Sequence, residues 1–111
     1  MGNLYDIGTL ANNDVVNVKI TLPNNLDSTF NPNYIIPKIL TPSLAPVSFA
    51  SWGQIDLPLA GGEVTLISGA ATAGKYLLYL EGPGTFTIMR VVLVEATKTG
   101  SSEPILKVVI F

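Results

Sequence analysis

The chain contains neither cysteine nor histidine, and these two absences remove much of the common chemistry of protein sites. Without cysteine there can be no disulfide, thiolate nucleophile, zinc ribbon or iron–sulfur cluster. Without histidine the chain lacks the commonest general base and the commonest transition-metal ligand. We therefore expect no catalytic residues, no metal and no cofactor, and we do not expect an enzyme.

Charge is also scarce. Charged residues make up 13% of the 111 residues, whereas roughly 25% is typical of soluble domains. The six basic residues are spread singly and the net charge is −2, so no basic cluster is present to release counterions from nucleic acid, and no nucleic-acid partner is expected. A small domain with so little charge covers its surface with Thr, Ser and Asn, or neighbouring proteins cover part of it.

Long apolar runs are missing as well. None approaches the roughly 18 residues that a membrane-spanning helix needs, and we expect no membrane partner. Residues 1–10 show neither the basic region nor the apolar stretch of a secretory signal. Helices in general are disfavoured, because eight prolines and ten glycines interrupt the helical periodicity throughout the chain.

What the sequence does contain is alternation with a period of two residues, which is typical of β-strands. Apolar Val16, Val18 and Ile20, for example, alternate with polar Asn17 and Lys19. The segments with strand character are 14–22, 34–40, 47–59 with an interruption at Gly53, 63–67, 75–80, 85–95 and 105–111. These seven segments, with turn residues between them, predict an all-β fold, namely an antiparallel β-sandwich or jelly-roll.

The length suits one core, and we interpret residues 1–111 as a single β-sandwich domain. Residues 1–13 are interpreted as an N-terminal arm, and residues 23–33, rich in Asn and Pro, as a long loop. Glu81-Gly82-Pro83-Gly84 has the composition of a hairpin turn between the strands predicted on either side of it.

Three of the predicted strands are apolar at consecutive positions rather than alternate ones: Tyr76–Leu80, Val91–Val94 and Val108–Phe111. A solvated outer face of a sandwich is polar, so these strands need cover on both faces. Either the arm or the loop supplies that cover, or another subunit does. The last strand is predicted to lie centrally in its own sheet or to be capped by another chain, since apolar sheet edges promote aggregation.

Four residues are candidates for an interface. Val109, Ile110 and Phe111 end the chain in the apolar strand just described. Trp52 is the fourth, because it is even-numbered, whereas the large apolar residues around it are odd-numbered, namely Val47, Phe49, Ile55 and Leu57. Either a bulge at residues 51–53 turns its ring into the core, or the ring is exposed and anchors a partner surface or a sugar.

Two pairs of acidic residues, Asp56 with Glu63 and Glu81 with Glu95, would be close if their strands were neighbours. A glycosidase holds two such carboxylates in a cleft lined by aromatic side chains. This chain has one Trp and no insertion to form a cleft, so we interpret these residues as solvated charges.

Residues 73–88, Ala-Gly-Lys-Tyr-Leu-Leu-Tyr-Leu-Glu-Gly-Pro-Gly-Thr-Phe-Thr-Ile, resemble the hairpins of bacterial and phage β-sandwich modules, including head-decoration (cement) and tail-associated proteins. The resemblance implies a structural protein of the virion, and most specifically a capsid decoration or cement subunit. Such a subunit would stabilise a phage head through contacts with other capsid or virion proteins, as a homo-oligomer with a trimer favoured. A carbohydrate- or surface-binding module, secreted or at a cell surface, is the alternative.

Overall fold

The computed structural model describes residues 2–22, 34–56, 62–81 and 92–110, which form nine β-strands and no helix. The strands are β1 Gly2–Leu10, β2 Val16–Leu22, β3 Tyr34–Leu40, β4 Pro46–Ser51, β5 Ile55–Asp56, β6 Gly62–Ile67, β7 Gly74–Glu81, β8 Val92–Lys98 and β9 Leu106–Ile110. The all-β prediction is confirmed, with nine strands in place of seven. No helix in these ranges is long and apolar enough to cross a membrane.

The strands form two antiparallel sheets packed face to face, which makes the fold a β-sandwich. Sheet A has the order β1-β7-β3-β4, and β5 continues the β4 side by pairing with β3. Sheet B has the order β6-β2-β8-β9. One apolar cluster joins their inner faces; its fully buried members are Leu10, Val16, Val18, Ile20, Ile35, Ile39, Leu78, Leu80, Val94 and Ala96.

The alternation in β2 explains its central place in sheet B. Val16, Val18 and Ile20 are buried in the core, whereas Asn17 and Lys19 point to the outside. The strand is paired on both sides, with β6 and with β8. Its sequence therefore predicts both which face is buried and which face meets water.

Strand β1 keeps both Ile7 and Leu10 in the core through a bulge at Gly8. Asp6 pairs with Leu77 and Gly8 with Tyr76, so one extra residue is inserted in β1, and Gly8 has a φ of +77°. The bulge changes the parity of the buried positions, from odd at Ile7 to even at Leu10. Most of the segment interpreted as an arm is therefore an edge strand of sheet A, which the interrupted alternation concealed.

Strands β7 and β8 are not the two halves of one hairpin, which corrects the interpretation of the turn at residues 81–84. Strand β7 lies in sheet A and is paired on both sides, with β1 and with β3, whereas β8 lies in sheet B. Turn composition shows where a chain reverses but not which strands then pair. Residues 82–91 and the predicted loop at 23–33 lie outside the described residues.

The connection from β1 to β2 crosses between the sheets and is held by hydrogen bonds to the connection from β6 to β7. The Asn13 N–H donates to the Ala71 carbonyl oxygen over 2.7 Å, and the Ala73 N–H donates to Asn12 Oδ1 over 2.7 Å. Asn13 has a φ of 71°, a conformation that asparagine tolerates better than most residues. These bonds fix one end of the sandwich.

Ser68 is the buried polar residue of the described core. Its Oγ accepts the Val16 N–H over 2.9 Å and donates to the Gly69 carbonyl oxygen over 2.8 Å. The Ser68 N–H in turn donates to the Val16 carbonyl oxygen over 2.9 Å. Ser68 thus extends the pairing of β2 with β6 beyond the last residue of β6.

Replacing this hydroxyl tests its contribution to stability. We expect Ser68→Ala to lower the free energy of unfolding by about 1–3 kcal/mol, because the buried Val16 N–H loses its side-chain acceptor. Urea denaturation followed by circular dichroism measures the change. Ser102→Ala, at an exposed position in the turn between β8 and β9, should stay within about 0.5 kcal/mol of the parent. Equal effects of the two substitutions would contradict a structural role for Ser68.

Candidate functional site

The outward side chains of sheet A form an apolar surface, here called the apolar face, which comprises Leu4, Ile36, Leu40, Leu77 and Tyr79. Residues directly opposite each other in an antiparallel pair share a face, and the register places Leu4 beside Tyr79 and Leu40 beside Leu77. Leu4 is 47% exposed, Ile36, Leu77 and Tyr79 are half-buried, and Leu40 is 8% exposed and thus buried.

Charges of both signs lie among and around these apolar side chains. Lys38 pairs with Tyr79 and Asp6 with Leu77, while Glu81 pairs with Ile36. An apolar centre with a mixed polar surround is the usual composition of a protein–protein contact. The apolar face therefore has the make-up of a surface that another protein covers.

The outer surface of sheet B, here called the polar face, is different. Its outward residues are Asn17, Lys19, Thr21, Glu63, Thr65, Ile67, Leu93, Glu95, Thr97, Lys107 and Val109. Lys19 Nζ and Glu63 Oε1 lie 3.6 Å apart on this face. Most of the polar face is thus ordinary solvated sheet surface, and its apolar residues lie near its two edges.

The strands with consecutive apolar residues therefore differ in which side chains point outward. In β7 they supply both faces, since Tyr76, Leu78 and Leu80 are buried in the core while Leu77 and Tyr79 belong to the apolar face. In β8 only Leu93 breaks the polar outer pattern, because Glu95 and Thr97 follow it on the same side. The outer face of sheet A therefore has an apolar centre, whereas the exposed apolar residues of sheet B, Ile67 at 63% and Val109 at 46%, lie at its two opposite edges.

Strand β9 lies at the edge of sheet B, and among the described strands it pairs only with β8. Of the two alternatives for this strand, the central position is not found among the described strands, whose centre is β2 and β8, and a cap by another chain stays a prediction. Leu106 and Val108 pack against the core, whereas Val109 is 46% exposed and lies beside Leu93. Ile110 is the last residue of β9, and Phe111 lies outside the described residues.

Trp52 follows β4 and links the two sheets. Its ring is half-buried against the core, and its Nε1–H donates to the Ile67 carbonyl oxygen in sheet B over 3.0 Å. From Ser51 to Ile55 the chain has one residue more than the stretch of β3 that it pairs with, and Gly53 has a φ of +70°. The even residue number of Trp52, among odd-numbered apolar neighbours, predicted a bulge here. The structure contains this bulge, and the ring packs inward.

A cleft of about 170 Å³ opens beside Trp52, between β3 and β4. Ile36, Pro37, Pro46 and Val47 form much of its wall. Pockets for drug-sized ligands are usually about 300–1,000 Å³, so this one is small. The indole N–H is already bonded to the protein backbone, which leaves it unable to donate to a sugar in this cleft.

The acidic pairs considered from the sequence do not face each other across neighbouring strands. Asp56 and Glu81 belong to strands of sheet A, whereas Glu63 and Glu95 belong to sheet B. Across the described ranges, no three or more His, Cys, Asp or Glu side chains gather where they could hold a metal ion.

The structure does not bring the predicted interface residues together. Trp52 reaches Ile67, so the β4 side of sheet A lies against the β6 side of sheet B. Strand β9 is at the other edge of sheet B, next to β1. Trp52 and Val109 therefore lie at opposite sides of the sandwich and cannot share one compact site.

Sequence reasoning missed the apolar face as a site. Its signal was present in the consecutive apolar residues Tyr76–Leu80, which require two covered faces. Leu4 was missed because its segment was interpreted as an arm. Assigning both to one surface requires the pairing of β1 with β7, which local sequence does not reveal.

Comparison of the chain with protein-family models, with curated proteins and with solved structures gave no match. The functional proposal below therefore rests on the residues of this chain.

The hydrogen bond of Trp52 can be tested by removing its donor. We expect Trp52→Phe to lower the free energy of unfolding by about 0.5–1.5 kcal/mol, because the Ile67 carbonyl loses a partner while most of the ring contact is kept. Circular dichroism in urea measures this change. Gln54→Ala, at an exposed position two residues away, is the control and should be near neutral. An unchanged stability of the Phe variant would show that the bond does not link the sheets energetically.

Proposed function

We propose that the protein is a structural subunit of a protein assembly, and most specifically a decoration or cement subunit that stabilises a phage head through protein–protein contacts. The subunit is neither an enzyme nor a nucleic-acid-binding protein in this proposal, and no cofactor takes part. It works as one copy among many, located in the virion.

The observation that carries the proposal is the difference between the two outer faces of the sandwich. A domain exposed to water on both sides would carry mostly polar residues on both sheets, as sheet B does apart from Ile67, Leu93 and Val109. Sheet A instead presents Leu4, Ile36, Leu77 and Tyr79. A subunit that lies on a larger particle needs this arrangement, with one face on the particle and one in solvent.

The assignment to a phage head draws on further support. Residues 73–88 resemble segments of phage β-sandwich modules, and the described part of that stretch, residues 73–81, contains β7 at the centre of the apolar face. The low charged fraction of 13% also fits a chain whose surface is partly covered by neighbours.

The alternative, a carbohydrate- or surface-binding module, has less support. An aromatic platform for a sugar needs an open ring face, and the ring of Trp52 is half-buried with its N–H bonded to Ile67. The cleft beside it is small. We therefore place the contact surface on sheet A rather than at Trp52.

The test is the binding of the purified protein to decoration-free heads of the phage that encodes it. Cosedimentation should saturate at a fixed number of copies per head, and bound heads should resist heat better than bare ones. Leu77→Lys should weaken binding at least about tenfold, since a charge at the centre of an apolar contact must be desolvated without a partner.

Thr97→Lys, which places the same charge on the polar face, is the matched control and should bind like the parent. Both variants are first checked for an unchanged thermal unfolding midpoint. Absence of binding, or equal loss in both variants, would refute the proposal. Binding of oligosaccharides by a monomeric protein that ignores heads would favour the alternative.

A further inference from the structure

The four edges of the two sheets are unequal in how readily they could pair with another strand. Unpaired edges invite association, and natural sheets obstruct them with bulges, prolines, charges or a covering side chain. In the described part of the chain, sheet A ends in β1 and in β4–β5, and sheet B ends in β6 and β9.

Both edges of sheet A are obstructed. Strand β1 carries the bulge at Gly8. On the other side, β4 begins with Pro46, and its register with β3 shifts between Pro46 and Ser51, followed by the bulge at Gly53. A regular ladder with a new strand cannot run along the whole length of either edge.

The β6 edge of sheet B is obstructed at one end by the chain itself. The indole of Trp52 occupies the carbonyl oxygen of Ile67, and the Gly69 N–H donates to the Phe49 carbonyl oxygen over 2.6 Å. The β4 side of sheet A is thus bonded to the end of β6.

Strand β9 has none of these devices. Its five residues, Leu106–Ile110, stay in unbroken register with β8 and include neither proline nor glycine. Lys107 is its one charged residue. Val109 is 46% exposed and, with Leu93, forms the apolar break of the polar face at this edge.

We propose that β9 pairs with β9 of a second copy of this chain, antiparallel about a two-fold axis, to form one continuous eight-stranded sheet. The inference rests on the proposed role as a repeated subunit. Of the described edges, β9 is the one that stays regular and unobstructed along its whole length, so the same edge of a second copy is its match and the contact is isologous. It gives a dimer, in place of the trimer favoured on sequence grounds.

The register of this pairing follows from the side chains. The axis is perpendicular to the sheet and keeps the inner faces of both copies on one side. Side chains that lie opposite each other therefore point to the same face, so their residue numbers are both even or both odd. One residue of β9 then lies opposite the same residue of the second copy, and the axis passes between these two. An axis at Lys107 would set two lysines directly opposite each other, which is destabilising. An axis at Val109 would pair only residues 108–110 of the strand.

The axis therefore passes at Val108. All five residues of β9 then find partners, and Lys107 of each copy lies opposite Val109 of the other. The methylene groups of each lysine cover the exposed valine, while its ammonium group stays in water. Two equivalent Lys–Val pairs form, one on each side of the axis.

A matched pair of substitutions at Val109 tests this register. Val109→Lys brings the new lysine of each copy opposite Lys107 of the other, which gives two pairs of like charge. Val109→Glu brings a glutamate opposite each Lys107, which gives two pairs of opposite charge. The exposed position tolerates either in the monomer, which thermal unfolding verifies. We expect the dimer dissociation constant of the Lys variant to exceed that of the Glu variant by roughly 10- to 100-fold, with two pairs changing from repulsion to attraction.

Sedimentation velocity over a concentration series measures the constants. Lys75→Glu, a charge reversal on β7 in sheet A, is the control and should dimerise like the parent. A parent that stays monomeric throughout, or Lys and Glu variants that dimerise equally well or equally poorly, would overturn the inference. In each of those cases the proposed function would still hold if head binding depends on Leu77.

Discussion

Every strand of this sandwich must turn one row of apolar side chains toward the shared interior, and side chains in a strand alternate with a period of two residues. Parity is therefore the constraint on which the rest of the structure depends. Where the sequence keeps strict alternation, as in β2, the strand is regular and central. Where it changes parity, the backbone inserts a residue, and the bulges at Gly8 and Gly53 keep Ile7, Leu10 and Trp52 directed inward.

The same constraint explains how much could be predicted. Strands β2, β3, β6 and β7 were located closely because alternation or a continuous apolar run is a local signal. Strand β1 was missed because Gly8 interrupts its alternation. The bulge beside Trp52 was foreseen from parity, but its bond to Ile67 was not, since the acceptor is a backbone carbonyl on another sheet. The apolar face depends on pairings between segments that are distant in sequence.

The bulges that keep apolar side chains inward also affect the surface. They occur on the two edges of sheet A, where they interrupt the ladder that a further strand would need. Sheet A thus combines an apolar outer face with interrupted edges. Sheet B has the reverse arrangement, a mostly polar face with a regular edge at β9. In the proposed assembly, face contacts and edge contacts therefore belong to different sheets of one small domain.

This division has a consequence for the proposed assembly. A two-fold axis perpendicular to sheet B leaves both copies on the same side of the joined sheet, so their apolar faces point in the same general direction, away from it. A particle surface with matching spacing could then engage both faces at once. The second contact would form at the high effective concentration set by the first, and two weak face contacts would hold a dimer far more tightly than either holds a monomer. Edge pairing would in this way strengthen face binding without adding any contact to the face.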